Sequence, residues 1–173
     1  MKNLIFPGLF FLLLFCSCEQ QEEGQFTMEQ SLQFTIQAGL NPLLTHVYEW
    51  NPQSPLHSFL AQNQLTKDQI KKITVREVYL EPVLSGPISY RFLESVKALI
   101  SDPSKPLLEF SLGEVMPLAN ESVGNLQMLP GLADMKPYLI LDRNTVKIEL
   151  RLRELITTSF AQRLVIKYSI FTQ

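Results

Sequence analysis

Alternation of apolar and polar residues constrains the fold of this chain more than any other feature. In residues 32–38, 146–152 and 164–170, apolar side chains recur at every second position, and most of the residues between them are polar. A strand places successive side chains on opposite faces, so this period predicts strands with one buried face. The last two segments close the chain, and we expect them to be antiparallel neighbours joined across residues 154–162.

The remaining patterns predict further short strands and little helix. Strands are expected in residues 43–50, 72–83, 107–115 and 125–129. Within the second of these, the apolar phase changes, which a bulge near Arg76 and Glu77 explains. Residues 90–101 fit both a helix and a strand, and we predict a helical turn at 92–94 followed by a strand.

Helical signals are confined to short segments. A helix is predicted over residues 54–64, where Ser54 caps the helix and Pro55 occupies its first position. Thr66 and Gln69 have the spacing of a capping box and predict one further turn. Residues 132–139 predict another helical turn.

About seven one-sided strands without alternating strand and helix units predict a mainly β fold. The expected architecture is an antiparallel β-sandwich with one or two short helices. The 173 residues are 46% hydrophobic and 18% charged, which is typical of a single globular domain. The net charge of −2 gives no general attraction to nucleic acid, so nucleic acid is not expected as a partner.

The amino terminus has the layout of a targeting signal. An apolar run at residues 4–15 follows a single basic residue, Lys2, and precedes a small polar segment. This order is typical of a secretory signal peptide. As a helix the run rises about 18 Å, well short of the roughly 30 Å hydrocarbon core. We therefore expect it to be cleaved; an uncleaved anchor is the alternative.

The segment Phe15, Cys16, Ser17, Cys18 resembles the lipobox of bacterial lipoproteins, in which a cysteine after a small residue becomes the acylated first residue of the mature chain. Since Ser17 is the small residue, the resemblance implies lipidation of Cys18 with acyl chains such as palmitate. Cys16 fits less well because bulky Phe15 precedes it. Such boxes usually carry an aliphatic residue where Phe15 stands, and ordinary signal cleavage is the alternative.

The residues after Cys18 extend this resemblance. Residues 19–23 are acidic and polar, and they are similar to the segment that marks surface-exported lipoproteins of the Bacteroidota. Because Glu19 rather than Asp follows the cysteine, the resemblance implies the outer membrane, with either face open. We predict three segments: a signal peptide at residues 1–17, a lipidated flexible tether at 18–29 and a β-sandwich domain at 30–173.

Within the domain, the segments IKKITVREVYLEP, FLESVKALIS and LADMKPYLILDRNTVKIELRLRE are similar in hydrophobic pattern to small, mostly uncharacterised lipoproteins with an immunoglobulin-like or LEA-type β-sandwich. The similarity covers most of residues 55–172. It supports the fold and implies no established activity.

Chemically reactive residues are few and scattered. Cys16 and Cys18 are the only cysteines, so disulfides and thiolate metal sites are excluded from the predicted domain. The two histidines are His46 and His57. Glu49 follows His46 by three positions, which places the two on opposite faces of a strand, and no metal site is expected. No nucleophile elbow or phosphate loop occurs, and Ser85-Gly86 indicates only a turn.

Several groups of residues allow more than one interpretation. Six glutamates are candidates for acid–base chemistry, although their spacing selects no pair: Glu77, Glu81, Glu94, Glu109, Glu114 and Glu149. Four cations form either a basic stripe for anionic lipid or lipopolysaccharide, or an ordinary solvated face: Arg143, Lys147, Arg151 and Arg153. Tyr48 and Trp50 form a binding patch or, more commonly, pack in the core. We expect three methionines to fill gaps in the core: Met116, Met128 and Met135.

The sequence thus predicts a non-enzymatic lipoprotein held to the outer membrane by Cys18. It would act as a binding or accessory module of the cell envelope, and contact an envelope protein through loops or an exposed strand edge. The alternative is a binder of lipid or of a small apolar ligand, with a cavity between the sheets. An enzyme is the third hypothesis. No catalytic residue, cofactor or metal ligand is predicted, and the oligomeric state is left open.

Overall fold

A computed structural model describes residues 26–84, 88–116 and 122–173. In chain order its elements are β1 (Phe26–Ile36), β2 (Thr45–Trp50), α1 (Pro55–Asn63), β3 (Ile70–Pro82), β4 (Ile88–Ser89), β5 (Leu93–Ser101), β6 (Glu109–Val115), β7 (Ser122–Val123), β8 (Leu126–Pro130), α2 (Lys136–Leu139), β9 (Thr145–Leu152) and β10 (Phe160–Thr172). The predicted mainly β class is confirmed.

Eight of these strands form one antiparallel sheet in the order β1-β10-β3-β8-β6-β5-β9-β2, and β4 pairs with β7 separately. The sheet is curled, so its first half (β1, β10, β3) faces its second half (β6, β5, β9, β2). The two layers expected of a sandwich are therefore halves of a single sheet, which has eight strands where about seven were predicted.

The two halves meet along two seams of different kinds. In the ladder seam, β8 pairs with β3 at Leu126–Met128 and with β6 at Leu129 and Pro130. In the aromatic seam, the edge strands β1 and β2 are joined by side chains only. The Phe34 ring lies 4.9 Å from that of Tyr48 and 5.7 Å from that of Trp50.

The core lies between the two halves and is built from the alternating residues of the long strands. Ile148 and Leu150 of β9 and Leu164 and Ile166 of β10 are fully buried, as their period of two predicts. We call the end of the body where β1 begins the amino-terminal end. The starts of β3, β6 and β9 also lie there, together with α1, α2 and the loop 102–108.

β1 begins at Phe26, so residues 26–29, which were predicted to belong to the tether, lie in a strand. Met28 is buried and continues the inward alternation of the strand. The sequence pattern is interrupted at Gln30, a polar residue at an inward position. The buried side chain of Gln30 accepts a hydrogen bond from the Tyr168 hydroxyl at 3.2 Å, which offsets part of the cost of burying this amide.

The prediction that the last two long strands are neighbours is wrong. β9 pairs with β2 and β5, whereas β10 pairs with β1 and β3. Residues 153–159 cross from one half of the sheet to the other instead of forming a hairpin. Ile156 in this crossing is buried, and its carbonyl accepts a hydrogen bond from Gly39 N at 2.9 Å. Alternation specifies a strand's buried face but not its partner.

Local predictions were more successful. Ser54 caps α1 by accepting a hydrogen bond from Leu56 N at 3.3 Å, with Pro55 at the first position. Thr66 and Gln69 form the predicted capping box around a short 3-10 turn. Because Glu77 pairs with Lys167 and Val75 with Tyr168, Arg76 is the extra residue of the predicted bulge.

The ambiguous segment is also settled. In residues 90–101, a single turn closed by the hydrogen bond from Leu93 N to Tyr90 O, at 2.9 Å, precedes strand β5. The predicted turn is therefore present, but it lies before residue 93 and does not form a helix. The short helix α2 confirms the helical turn predicted within residues 132–139.

Candidate functional site

A groove of about 480 Å³ opens on the outer face of the second half of the sheet. Five strands contribute to it, because β2, β9, β5, β6 and β8 are successive neighbours on this side. The outward-facing residues that line it include Thr45, Ser95, Lys97, Glu114, Leu129 and Glu149. The groove is therefore built on a hydrogen-bonded scaffold rather than on loops.

Strand register places a row of side chains across this groove. Lys97 of β5 pairs with Glu149 on one side and with Glu114 on the other. Glu149 pairs in turn with Val47, and Glu114 with Leu129. Directly opposed residues have Cβ atoms about 5 Å apart, so a cation lies between two carboxylates, with an apolar side chain at each end.

The apolar side chains at the groove are well exposed. Met116 is 81% exposed and Leu129 is 73% exposed. The prediction that Met116 fills the core is therefore wrong, whereas Met128 and Met135 are buried as predicted. Met116 follows the last residue of β6 and so has left the sheet that would cover it. Exposed apolar side chains next to polar residues occur at surfaces that bind a partner.

The structure brings two of the six candidate glutamates into the groove. Glu114 and Glu149 are two strands apart, about 10 Å, with Lys97 between them. The other four have cationic neighbours: Glu77 with Lys167, Glu81 with Arg163, Glu109 with Lys147, and Glu94 with Arg151, which also lines the groove. A hydrogen bond from Lys167 lowers the pKa of Glu77. This arrangement supplies ion pairs rather than an acid–base pair.

The cations of the possible basic stripe all have partners. Lys147 bonds to Glu109, and this hydrogen bond raises the pKa of Lys147. Arg151 Nε lies 3.7 Å from a carboxylate oxygen of Glu94. The remaining two donate to backbone carbonyls, Arg153 to Leu93 at 2.8 Å and Arg143 to Asn51 at 3.4 Å. This face therefore does not present a uniform positive surface.

The two histidines are not brought together. His46 Nε2 lies 2.8 Å from the carbonyl oxygen of Asn41, and His57 Nε2 lies 3.2 Å from a carboxylate oxygen of Asp142. Glu49 is exposed, while His46 is half-buried on the other face of β2. In residues 26–84, 88–116 and 122–173, no three His, Cys, Asp or Glu side chains form a group that could hold a metal ion.

Tyr48 and Trp50 pack against the core, which confirms the packing interpretation of these aromatics. Both rings contact Phe34 of β1, and burial raises the pKa of Tyr48. Within the described residues, Tyr48 and Trp50 therefore close the aromatic seam.

Two tyrosine–glutamine hydrogen bonds inside the core were not foreseen. The Tyr168 hydroxyl donates to Gln30 Oε1 within the first half of the sheet. The Tyr90 hydroxyl donates to Gln162 Oε1 at 2.8 Å, and this bond joins the turn before β5 to β10 in the opposite half. Burial raises the pKa of both tyrosines. The signal for these bonds was a glutamine at an inward position of a strand.

The remaining sequence predictions fall outside the described residues. Cys18 and Ser17 precede residue 26, and Ser85-Gly86 lies between residues 84 and 88. Of the helices that are described, none has the length and apolarity needed to cross a membrane.

Comparison with known proteins assigns no family: no family model and no curated protein matches the chain. Among solved structures, a chain of turnip yellow mosaic virus is similar at 13% identity and a TM-score of 0.27, covering 86% of this chain and 95% of that chain. A chain of Desmodium yellow mottle tymovirus is similar at 11% identity and a TM-score of 0.25, covering 100% of this chain and 97% of that chain. TM-scores this low are not evidence about function.

Proposed function

We propose that the protein is a lipoprotein anchored in the outer membrane through Cys18, and that its β body is a non-enzymatic binding or accessory module of the cell envelope. The observation that carries this proposal is the order of Lys2, the apolar run 4–15 and the Ser17-Cys18 pair. Several acyl chains on one residue would make the attachment effectively permanent, since each buried CH₂ contributes about 0.8 kcal/mol.

The body supports a binding role rather than a catalytic one. Its outer-face groove offers an exposed row of alternating charges bordered by Val47, Leu129 and Met116. Its candidate acids are engaged by cations or separated by Lys97. A partner with complementary charges and an apolar rim would fit this groove.

Mass spectrometry of the amino terminus, combined with membrane fractionation, tests the anchor. We expect wild-type protein to begin at an acylated Cys18, and Cys18→Ala to lose the acyl mass and leave the membrane fraction. Cys16→Ala is the matched control, because it changes the neighbouring cysteine and keeps the Ser17-Cys18 pair. Membrane-bound Cys18→Ala with residue 1 intact would instead establish an uncleaved anchor.

Site-specific photocrosslinking in intact envelopes tests the binding surface. A photoreactive amino acid at Leu129, in the groove, should give one discrete adduct. The same group at Gln33, an exposed position on β1, is the control and should give none. Failure to obtain a position-dependent adduct would count against a partner at the groove.

The alternative, an apolar ligand held between the two halves, has less support. The space between the inner faces is occupied by side chains such as Leu80, Ile148 and Ile166, all fully buried. The 480 Å³ groove and a second hollow of about 340 Å³ near Glu154 both open at the surface. Native mass spectrometry of the extracted protein would detect a retained ligand and would revive this alternative.

A further inference from the structure

Chain length limits which part of the body can meet the lipid. Cys18 precedes Phe26, the first residue of β1, by eight positions. A fully extended chain of this length spans at most about 29 Å. β1, with its 11 residues, then rises roughly 34 Å to the opposite end of the body. With Cys18 in the bilayer, an upright body can therefore bring its amino-terminal end to the lipid but not the opposite end.

Among the large hydrophobic side chains of the described residues, the two most exposed lie at this amino-terminal end. Leu107 is 95% exposed and Leu132 is 91% exposed. Leu107 and its half-exposed neighbour Leu108 belong to the loop between β5 and β6, and Leu132 lies between β8 and α2. Contact with lipid would remove these side chains from water.

The loop that carries Leu107 is held in shape by its own hydrogen bonds. The Asp102 carboxylate accepts hydrogen bonds from the backbone N and the hydroxyl of Ser104, both at 2.8 Å. Lys105 N donates to Asp102 O at 2.8 Å, and Leu108 N donates to Lys105 O at 3.0 Å. Two successive turns thus present the leucines, so little conformational entropy is lost on insertion.

The outer faces of the sheet are poorly suited to lie on a bilayer. One carries the charged row centred on Lys97, and the other carries the pairs Lys167–Glu77 and Arg163–Glu81. Moving such charges out of water is costly, which disfavours an orientation flat on the membrane.

The amino-terminal end also exposes lysines suited to anionic headgroups. Lys71 and Lys72 follow Ile70, the first residue of β3, and Lys105 precedes Leu107 by two positions. Four carboxylates at the same end, those of Asp68, Asp102, Asp134 and Asp142, offset this charge, so the leucines supply most of the expected contact.

We propose that the amino-terminal end is a membrane-contacting surface, in which Leu107, Leu108 and Leu132 insert into the lipid interface. This surface rests on the proposed acylation of Cys18, which brings that end within reach of the bilayer.

Full-length protein, processed in cells and purified in its acylated form, provides the test. Signal cleavage removes Cys16 and acylation blocks Cys18, so a cysteine introduced in the domain is the only reactive thiol. Leu107→Cys and Leu43→Cys would be labelled with an environment-sensitive fluorophore. Leu43 is the matched control, because it is 85% exposed in the loop at the opposite end. Both proteins would be reconstituted into vesicles of phosphatidylethanolamine and phosphatidylglycerol with brominated acyl chains.

We expect a blue shift and about a twofold loss of emission for the probe at residue 107, since interfacial side chains lie roughly 5–10 Å into the boundary of headgroups and acyl chains. The probe at residue 43 should be unaffected. If, in acylated protein, the probe at residue 43 were quenched or the probe at residue 107 were not, the proposed contact surface would be overturned and the anchor would stand. Absence of the acyl mass from the starting material would overturn the proposed anchor and, with it, this surface.

Discussion

The ladder seam and the aromatic seam hold the same two halves of the sheet together by different interactions. At the ladder seam, β8 is hydrogen-bonded to both β3 and β6, so interstrand hydrogen bonding is continuous across it. At the aromatic seam, β1 and β2 share no ladder and meet through Phe34, Tyr48 and Trp50. We therefore expect the curled sheet to open first at the aromatic seam, because only side-chain packing must be lost there.

Truncation of Phe34 tests this order most directly and should have the largest effect. Phe34 is buried, and its ring contacts both aromatic side chains of β2. We expect Phe34→Ala to lower the free energy of unfolding by about 3 kcal/mol or more, as for other buried aromatic truncations. Chemical denaturation gives the total, and amide hydrogen exchange should quicken in β1 and β2 while β8 keeps its protection. Earlier hydrogen exchange in β8 than in β1 and β2 would contradict the expected order of opening.

A small substitution at the ladder seam should have the second largest effect. A Cβ added at Gly131 would lie 1.9 Å from the carbonyl oxygen of Ser111, a backbone atom that cannot rotate away. We expect Gly131→Ala to cost about 2–3 kcal/mol in denaturation experiments, because overpacking forces the backbone to shift. Gly124→Ala is the matched control, since its Cβ meets nothing within 4 Å. Equal stability of the two variants would show that the seam is loosely packed.

The interior hydrogen bond from Tyr90 to Gln162 is a third link between the halves, and Tyr90→Phe should have an intermediate effect. Loss of the hydroxyl leaves the buried Gln162 carbonyl without its donor, which costs about 1–2 kcal/mol. Tyr168→Phe removes the equivalent bond to Gln30 within one half and serves as the control. Both should lower the denaturation midpoint, but only Tyr90→Phe should quicken hydrogen exchange in both halves.

The sequence was informative about local structure and less so about assembly. The cap at Ser54, the bulge at Arg76 and the buried faces of β9 and β10 depend on nearby residues, and all were predicted. The partners of β9 and β10 were not, because pairing depends on contacts far apart in the chain. The start of β1 was missed because Gln30 is a polar residue at an inward position, and Tyr168, whose hydroxyl bonds to the Gln30 side-chain oxygen, is distant in sequence.

The candidate site shows the same division. Lys97, Glu114 and Glu149 come from three strands, so no spacing in the sequence could place them in one row. Exposure of Met116 was equally hidden, since a methionine beside a strand is most often buried. Acylation of Cys18, by contrast, was inferred from one contiguous segment, which contains Lys2, the apolar run 4–15 and the Ser17-Cys18 pair. It remains a prediction that the folded body does not test.

Acid titration gives the smallest effect and tests the half of the sheet that contains β3 and β10. The hydrogen bond from Lys167 lowers the pKa of Glu77 below its usual 4.5. A carboxyl whose pKa is lowered by folding stabilises the folded state above its unfolded pKa, and this contribution is lost as the pH falls through the folded value. Stability should therefore decline below about pH 4.5, and Glu77→Gln should make that decline shallower. Glu154→Gln is the control, because Glu154 and its neighbour Arg91 are both more than half exposed and 3.7 Å apart.

The Glu77–Lys167 pair lies in the β3–β10 ladder, remote from Phe34, so the effects of Glu77→Gln and Phe34→Ala on the free energy of unfolding should add. A clear departure from additivity would mean that the aromatic seam and the β3–β10 ladder open together.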